Sequence, residues 1–404
     1  MAPPWVAIAA PTATPPLSSL LSSASLSRFR TLSSPSGWWL HSWKRAGSGA
    51  VASSRRRLLP GRRRPPPPEA EAADAGLPDD GVTAPGAAGG EGSEEFVSRA
   101  TLVWRAAKLP IYTVALVPLT VGSSAAYLKT GFFSASRYLV LLSASILVIT
   151  WLNLSNDVYD SDTGADRNKK ESVVNIVGSR SIAHFAANIA LALGSVGLIW
   201  ACAESGDIRS TLLLALAIIC GYVYQCPPFR LGYHGLGEPL CFAAFGPFAT
   251  TAFYFSQGSE SLSWTVLSAS VLVGLTTSLI LFCSHFHQIE GDQAIGKMSP
   301  LVRIGTEKAS EVVKAAILIL YALLFSFCIA KALPVTCAFI CSLTLPIGKL
   351  VADYVEKNHK DNVKIFMAKY YCVRLHSLFG IFLAVGLVLA RTGLNIRFPG
   401  LSAT

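Results

Sequence analysis

A set of amide and carboxylate side chains follows an apolar run of the sequence that ends at Leu154. Asn156 and Asp160 are four residues apart, so they share one face of a helix. Gly164 then permits a turn, after which Asp166 can fold back toward the pair. Oxygen ligands of this kind suit Mg²⁺, which takes one or two carboxylates and completes its coordination with water and substrate phosphates. We therefore predict a magnesium site here.

Two more carboxylates, Asp157 and Asp162, belong to the same segment. If the helix continues, both point away from the face of Asn156 and Asp160, so we rank them second, with Asp157 as an additional candidate metal ligand. The alternative is an acidic helix end that is merely exposed to water. Charge close to hydrocarbon is costly, however, so carboxylates at the end of a membrane helix favour a functional interpretation.

A second polar segment follows a later apolar run and contains Gln288, Glu290 and Asp292. Gln288 and Asp292 are again four residues apart and share a helix face. We predict that these three side chains hold a second metal ion, with Asp292 as its main carboxylate. The sequence thus supplies two oxygen-rich sites rather than one.

Cations follow each acidic segment. A diphosphate bridged by metal ions requires such an arrangement, because Lys and Arg bind the oxygens that the metal leaves uncovered. The alternative for any single cation is a loop charge that only orients the protein in its membrane. The predicted diphosphate-binding residues are Lys169, Lys170, Arg180, Lys297 and Arg303.

A third stretch, residues 221–239, is rich in glycine, proline and tyrosine and predicts an irregular loop. Its tyrosines could stack on an aromatic ring or on an allylic cation. We predict a catalytic role for Tyr224 and an acceptor-binding role for Tyr222. The alternative for these rings is a belt of aromatic side chains at the membrane surface.

The elements that position these segments are membrane helices. The sequence is 51% hydrophobic and only 14% charged, whereas soluble domains carry about 25% charged residues. Apolar runs of about 20 residues predict spanning helices, and the fold class is an all-α integral membrane protein with nine of them around a central cavity. The predicted spans are Leu109–Leu128, Tyr138–Leu154, Ala183–Cys202, Thr211–Gln225, Leu240–Phe255, Trp264–Cys283, Ala315–Ala330, Pro334–Val351 and Leu375–Ala390.

The distribution of Lys and Arg predicts the orientation of these spans. The loops that contain both acidic segments lie on one side, which carries seventeen Lys and Arg against six on the other. By the positive-inside rule, that side faces the cytoplasm or, in a plastid, the stroma. The predicted site thus opens toward a compartment that holds Mg²⁺ and soluble metabolites.

The net charge of +10 belongs to the start of the chain. Residues 1–68 contain ten Lys and Arg and no Asp or Glu, so the rest of the chain is neutral and predicts no nucleic-acid partner. An Arg-rich, Ser-rich and acid-poor composition is typical of an organellar transit peptide, here plastid rather than mitochondrial, and a disordered basic tail is the alternative. We predict a transit peptide at 1–68, a disordered acidic linker at 69–95 and a membrane domain at 96–404.

These motifs resemble the UbiA superfamily of intramembrane aromatic prenyltransferases. The first resembles that family's Asn-x-x-x-Asp followed by a further Asp, placed on Asn156, Asp160 and Asp166. The stretches 232–238 (Gly-Tyr-His-Gly-Leu-Gly-Glu) and 296–303 (Gly-Lys-Met-Ser-Pro-Leu-Val-Arg) are similar to the branch that acts on 1,4-dihydroxy-2-naphthoate. The second motif departs from the family's Asp-x-x-x-Asp, since Gln288 stands at its first position; Glu290 is the candidate to compensate.

The resemblance implies nine helices, a Mg²⁺-bound prenyl diphosphate and transfer of its prenyl group to an aromatic ring. It implies catalytic roles for Asp160, Asp166 and Asp292. With a plastid-type leader it implies phytyl diphosphate as donor, 1,4-dihydroxy-2-naphthoate as acceptor, phylloquinone synthesis as the pathway, and a chloroplast membrane (inner envelope or thylakoid) as the site. Lys108, at the start of the first span, is a candidate for the acceptor carboxylate; an interfacial anchor is the alternative.

Three other functions remain open from the sequence. A sister plastid enzyme would use homogentisate or another aromatic acceptor. A membrane transporter would place its acids along a path at the bilayer midplane, with broken helices in repeated halves, whereas the acids here gather on one side. A non-enzymatic quinone-binding protein would leave the two acidic segments without a purpose.

Overall fold

The protein is described here from a computed structural model, which covers residues 109–164 and 172–393. The predicted transit peptide (1–68) and acidic linker (69–95) lie outside these described residues, so both stay predictions. Within the described ranges the chain is helical and contains no strand. The prediction of an all-α membrane protein is confirmed.

Thirteen α-helices follow one another in the described residues. They are α1 (Thr113–Thr130), α2 (Ala135–Thr163), α3 (Val173–Val177), α4 (Arg180–Ser205), α5 (Ile208–Gln225), α6 (Gly237–Ala243), α7 (Thr251–Ser256), α8 (Trp264–Ser284), α9 (Ile289–Ala294), α10 (Pro300–Ile329), α11 (Val335–Ser342), α12 (Leu345–Asn358) and α13 (Ala368–Arg391). Short 3₁₀ turns occur at Leu109–Tyr112, Leu231–His234, Phe286–Gln288 and Ile365–Met367.

Seven stretches of the described chain are long and apolar enough to cross a membrane, and an eighth is a pair of helices, α11 and α12, bent by 51°. The predicted count of nine is therefore approximate. The difference lies at the predicted span Leu240–Phe255, which is helical but divided into α6, a π-helical stretch at Ala244–Thr250 and α7. Pro247 lies in that stretch. Proline lacks a backbone N–H and clashes with the preceding turn, so the chain there widens instead of continuing as one α-helix.

The apolar residues form two cores that meet at α1. One core joins α1 with α8 and α10–α13, and the other joins α1 with α2, α4, α5 and α7. Small residues let the central elements approach closely, because a Cβ built on Gly246 would lie 2.6 Å from the carbonyl oxygen of Ser270 on α8. A cavity lies where side chains of both cores face each other.

Candidate active site

The first acidic segment forms the last three turns of α2. Asn153, Asn156, Asp157 and Asp160 follow the spacing i, i+3, i+4 and i+7, and all four line the cavity. The prediction that Asp157 points elsewhere is therefore wrong. Its side chain is 3% exposed, and its Oδ2 accepts a hydrogen bond from the backbone N–H of Val173 at 3.1 Å. These four polar residues form a wider face than a single i, i+4 pair, because positions i+3 and i+4 of a helix share a face.

Asp160 lies at the centre of a hydrogen-bonded group. The Asn156 amide donates to its Oδ2 at 2.9 Å, and the Tyr233 hydroxyl donates to its Oδ1 at 3.3 Å. Thr163 lies 3.2 Å from the same hydroxyl. Burial raises the pKa of the Tyr233 phenol, and the neighbouring Asp160 charge adds to the rise, so Tyr233 remains a protonated donor. These contacts fix the Asp160 carboxylate at the polar end of the cavity.

The second segment places its three predicted ligands differently. Gln288 lines the cavity. Asp292 is 5% exposed and is not itself part of the cavity lining; its Oδ1 lies 3.1 Å from the ammonium of Lys297, which does line the cavity, and its Oδ2 is buried without a hydrogen-bond partner among the described residues. Glu290 is exposed, accepts a hydrogen bond from Asn362 at 3.0 Å and is not part of the cavity lining. A buried carboxylate oxygen without a protein partner offers a place for a bound ion or a water molecule.

The loop after α5 joins the two acidic segments. The backbone N–H of Met298 donates to the Tyr233 carbonyl at 2.8 Å, and the Arg303 guanidinium donates to the His234 carbonyl at 2.7 Å. A Cβ at Gly235, whose φ is +77°, would lie 2.8 Å from the Met298 carbonyl oxygen. Arg303 thus holds the loop in place and is absent from the cavity lining, whereas Lys297 lines the cavity, 5.8 Å from the Tyr233 ring.

The two tyrosines that precede this loop have different surroundings. Tyr224 lines the cavity, and its ring packs against Gly232 and Gly237, where a Cβ would lie within 2.9 Å of it. Tyr222 is 42% exposed and contacts Phe229 edge to face at 6.4 Å. Residues two apart on a helix point in nearly opposite directions. The structure therefore brings Tyr224 to the cavity but not Tyr222. The exposed position of Tyr222 agrees with the alternative of an aromatic belt at the membrane surface.

The remaining predicted residues lie elsewhere or outside the described residues. Arg180 forms a bidentate ion pair with Asp162 and is not part of the cavity lining. This pair ties the end of α2 to the start of α4. Asp166, Lys169, Lys170 and Lys108 fall outside the described residues, so their roles stay predictions.

The cavity itself has a volume of about 810 Å³, within the range of about 300–1,000 Å³ that is usual for ligand sites. Beyond its polar end the wall is mainly apolar, with Val114, Pro118, Val148, Leu214 and Phe253 among its residues. Such a cavity suits a long hydrocarbon chain whose charged head remains near the acidic segments.

Several lining residues were not predicted. Asn153 and Gln225 each have a buried amide nitrogen without a partner in the part of the chain that the structure describes. His285 is 2% exposed, and its Nδ1–H donates to Glu238 Oε1 at 3.1 Å, which fixes the second segment to α6. The i−3 spacing of Asn153 from Asn156 was a usable signal, but nothing in the sequence pairs His285 with Glu238.

The donor set fits magnesium that is shared with a substrate. Within the described residues no group of three His, Cys, Asp or Glu side chains could hold a metal by itself. Each segment instead offers one or two carboxylates with a nearby amide, namely Asp157 and Asp160 with Asn156, and Asp292 with Gln288. Mg²⁺ usually completes such partial sets with water and phosphate oxygens.

We expect the face of the Tyr224 ring to stabilise the positive charge of the predicted allylic cation. Replacement by leucine should lower kcat about 10–30-fold, the size of a desolvated cation–π interaction of about 2 kcal/mol. Replacement by phenylalanine, which keeps the ring, should cost less than about threefold. Initial rates give kcat of each variant, and thermal unfolding checks that each variant is folded. A large loss in both variants would contradict a π role and indicate that the hydroxyl acts instead.

Comparison with known proteins places this geometry in a family. A UbiA prenyltransferase family model matches residues 115–373. The chain is 66% identical over 304 residues to the 2-carboxy-1,4-naphthoquinone phytyltransferase, chloroplastic, of Arabidopsis thaliana, an alignment that covers 74% of this chain and 80% of the relative. It is 43% identical over 285 residues to 2-carboxy-1,4-naphthoquinone phytyltransferase of Synechocystis, covering 70% and 92%.

A solved structure shares the fold. A UbiA homologue from Archaeoglobus fulgidus superposes with a TM-score of 0.51 at 16% identity, over 72% of this chain and 99% of that one. At this identity the likeness concerns the fold alone. The family model, however, spans more than half of the chain and includes both acidic segments. The chain belongs to the UbiA prenyltransferase family.

Proposed function

We propose that this protein transfers a phytyl group from phytyl diphosphate to 1,4-dihydroxy-2-naphthoate, with loss of carbon dioxide, in phylloquinone biosynthesis. One observation carries the proposal: Asn156, Asp157 and Asp160 of the first segment and Gln288 and Lys297 of the second line the same cavity, whose remaining wall is mainly apolar. The two relatives described above are named as phytyltransferases of a carboxynaphthoquinone. That name describes the oxidised form of the same acceptor.

The polar end would hold the diphosphate of the donor. Magnesium ions bound there supply electrophilic stabilisation of the departing diphosphate. Asp160 and Asp292 would hold them, supported by Asn156, Asp157 and Gln288. Lys297 and the buried amides of Asn153 and Gln225 would donate hydrogen bonds to diphosphate oxygens, where negative charge develops. The proposal also includes Asp166 as a metal ligand and Lys169 and Lys170 as diphosphate-binding residues; all three lie outside the described residues.

The apolar wall would hold the phytyl chain and exclude water. As the bond from the allylic carbon to the diphosphate oxygen breaks, its electron pair leaves with the diphosphate, and the carbon becomes electrophilic. Water would capture such a carbon, so a dry cavity protects it. The Tyr224 ring lines the cavity, where its face can stabilise positive charge.

The acceptor ring then attacks through the carbon that bears its carboxylate. The new carbon–carbon bond forms there, the carboxylate leaves as carbon dioxide, and its electron pair restores the aromatic ring. The product is a phytyl-substituted naphthohydroquinone, which oxidation converts to the quinone. The attacking ring must be electron-rich, so the hydroquinone form reacts and the quinone form does not.

The location in the cell is inferred from a relative and from the apolar helices. The Arabidopsis relative is named chloroplastic, and the apolar helices are those of a multi-pass membrane protein. We propose that this chain is a chloroplast membrane protein with residues 1–68 as its transit peptide. The excess of Lys and Arg on the side of the acidic segments supports a site that opens to the stroma.

Purified protein with Mg²⁺ tests the proposal against a panel of substrates. We expect product from phytyl diphosphate with 1,4-dihydroxy-2-naphthoate, and no product from 2-carboxy-1,4-naphthoquinone until a reductant is added. Product and diphosphate are measured by chromatography and a coupled assay. Transfer to homogentisate instead would indicate a sister enzyme. A failure to release diphosphate with any acceptor would contradict prenyl transfer and favour transport or quinone binding.

A further inference from the structure

A second cation lines the cavity at the start of α13. The Lys369 ammonium lies 3.9 Å from the centre of the Phe366 ring and 5.4 Å from that of Tyr370. All three side chains belong to the cavity lining. Phe366 lies in the 3₁₀ turn at Ile365–Met367, so a turn and the first helical residues after it present the whole group.

This group adjoins the second acidic segment. The His287 ring meets the Phe366 ring edge to face, with centroids 4.9 Å apart and an interplanar angle of 82°. His287 precedes the candidate metal ligand Gln288, and both line the cavity. The rings of His287 and Tyr370 both contact Phe366, so protein contacts hold the aromatic surface beside Lys369 in place.

The two lysines of the cavity have separate surroundings. Among the described lining residues, Lys297 and Lys369 are the only Lys or Arg side chains. Lys297 lies 3.1 Å from Asp292 and therefore belongs to the acidic segment that holds the donor head. Lys369 lies beside the rings of Phe366 and Tyr370. A cation beside aromatic faces matches a flat aromatic ligand that carries a carboxylate, because the ring stacks while the ammonium pairs with the carboxylate.

We propose that Lys369, with Phe366 and His287, forms the subsite that binds the aryl carboxylate of the acceptor. This inference rests on the proposed function. The reacting ring carbon bears the carboxylate, so the cation that holds it must lie near the diphosphate end. Lys369 meets that requirement through the contact of Phe366 with His287, next to Gln288. Lys108, the candidate that the sequence suggests for the same carboxylate, lies outside the described residues, so its role stays a prediction.

Direct binding tests the subsite without turnover. The probe is 1-hydroxy-2-naphthoate, a fluorescent analogue, compared with 1-naphthol, which lacks the carboxylate. Wild-type protein should bind the carboxylate analogue at least about tenfold more tightly. In Lys369→Met this preference should fall to about one, and Lys369→Arg should restore most of it. Phe366→Leu should weaken both analogues and leave their ratio unchanged.

Kinetics supply the second readout. Lys369→Met should raise the KM for 1,4-dihydroxy-2-naphthoate about 10–100-fold while the KM for phytyl diphosphate stays unchanged. The matched control is Lys364→Met, since Lys364 is 67% exposed and pairs with Asp361 away from the lining. An unchanged analogue preference in Lys369→Met, or a raised KM for the donor, overturns the subsite. If the proposed function is wrong, wild-type protein will transfer no phytyl group. The preference for the carboxylate analogue in the binding assay tests the subsite independently of that outcome.

Discussion

Asp160→Asn should lower the rate of phytyl transfer by about 10²–10³-fold while the protein remains folded in its membrane. The carboxylate faces the cavity, where it is the candidate ligand for the metal that binds the donor diphosphate. Asparagine keeps its size but removes its charge. Loss of one preorganised electrostatic group at a reacting centre typically has an effect of this size.

The fold should tolerate this change because the local hydrogen bonds can be kept. The new amide oxygen can still accept from the Tyr233 hydroxyl, and Asn156 can turn its amide so that its oxygen accepts from the new NH₂ group. The free energy of unfolding should then change by less than about 1 kcal/mol. A low rate in this variant would therefore report on chemistry and not on folding.

Asp207→Asn is the matched control for Asp160→Asn. Asp207 caps α5 at the end opposite to Tyr224 and pairs with Arg209. The two residues are 17 positions apart on this helix, which separates Asp207 from Tyr224 by about 25 Å along the axis. Asparagine is an equally good N-cap, so activity should be unchanged. Initial rates and thermal unfolding of both variants are compared; full activity of Asp160→Asn, or of wild-type protein in EDTA, would contradict the metal–diphosphate site.

Local spacing predicted those features of the site that depend on a single helix. The spacing i, i+4 correctly placed Asn156 with Asp160, because a helix fixes which side chains share a face. Gln288 reaches the cavity from the 3₁₀ turn that precedes α9, whereas Asp292, its predicted partner, is not part of the lining. The same rule, applied with i+3, would also have included Asn153 and Asp157. The apolar runs predicted the membrane class, while Pro247 altered the element that the run at Leu240–Phe255 indicated.

Contacts between distant segments could not be read in the same way. Arg180 follows the acidic segment as a phosphate-binding cation would, yet packing of α4 beside α2 pairs it with Asp162. Arg303 is similarly used to hold the loop at His234. Lys369 has no distinguishing pattern, since a lysine at a helix start on the Lys-rich side is ordinary. Only the tertiary arrangement shows which cations reach the cavity.

Asp292→Asn should lower phytyl transfer about 10²-fold and raise the Mg²⁺ concentration needed for half-maximal activity. Asp292 is the only carboxylate of the second segment that is buried near the cavity in the described part of the chain, since Glu290 turns to Asn362. Its Oδ2 is buried without a protein partner there. Gln288 brings an oxygen but no charge, so removing Asp292 leaves this segment without a carboxylate for the metal.

The dependence on Mg²⁺ separates this role from a purely structural one. Asp292 also pairs with Lys297, and loss of that pair alone would lower activity at every Mg²⁺ concentration alike. If Asp292 holds metal, high Mg²⁺ should recover part of the activity of Asp292→Asn, and Gln288→Asp in the same background should recover more by returning a carboxylate to the segment. The control is Asp361→Asn, which removes an exposed charge paired with Lys364. A Mg²⁺ requirement that is identical in Asp292→Asn and wild-type protein would leave Asp160 and its neighbours as the sole metal site.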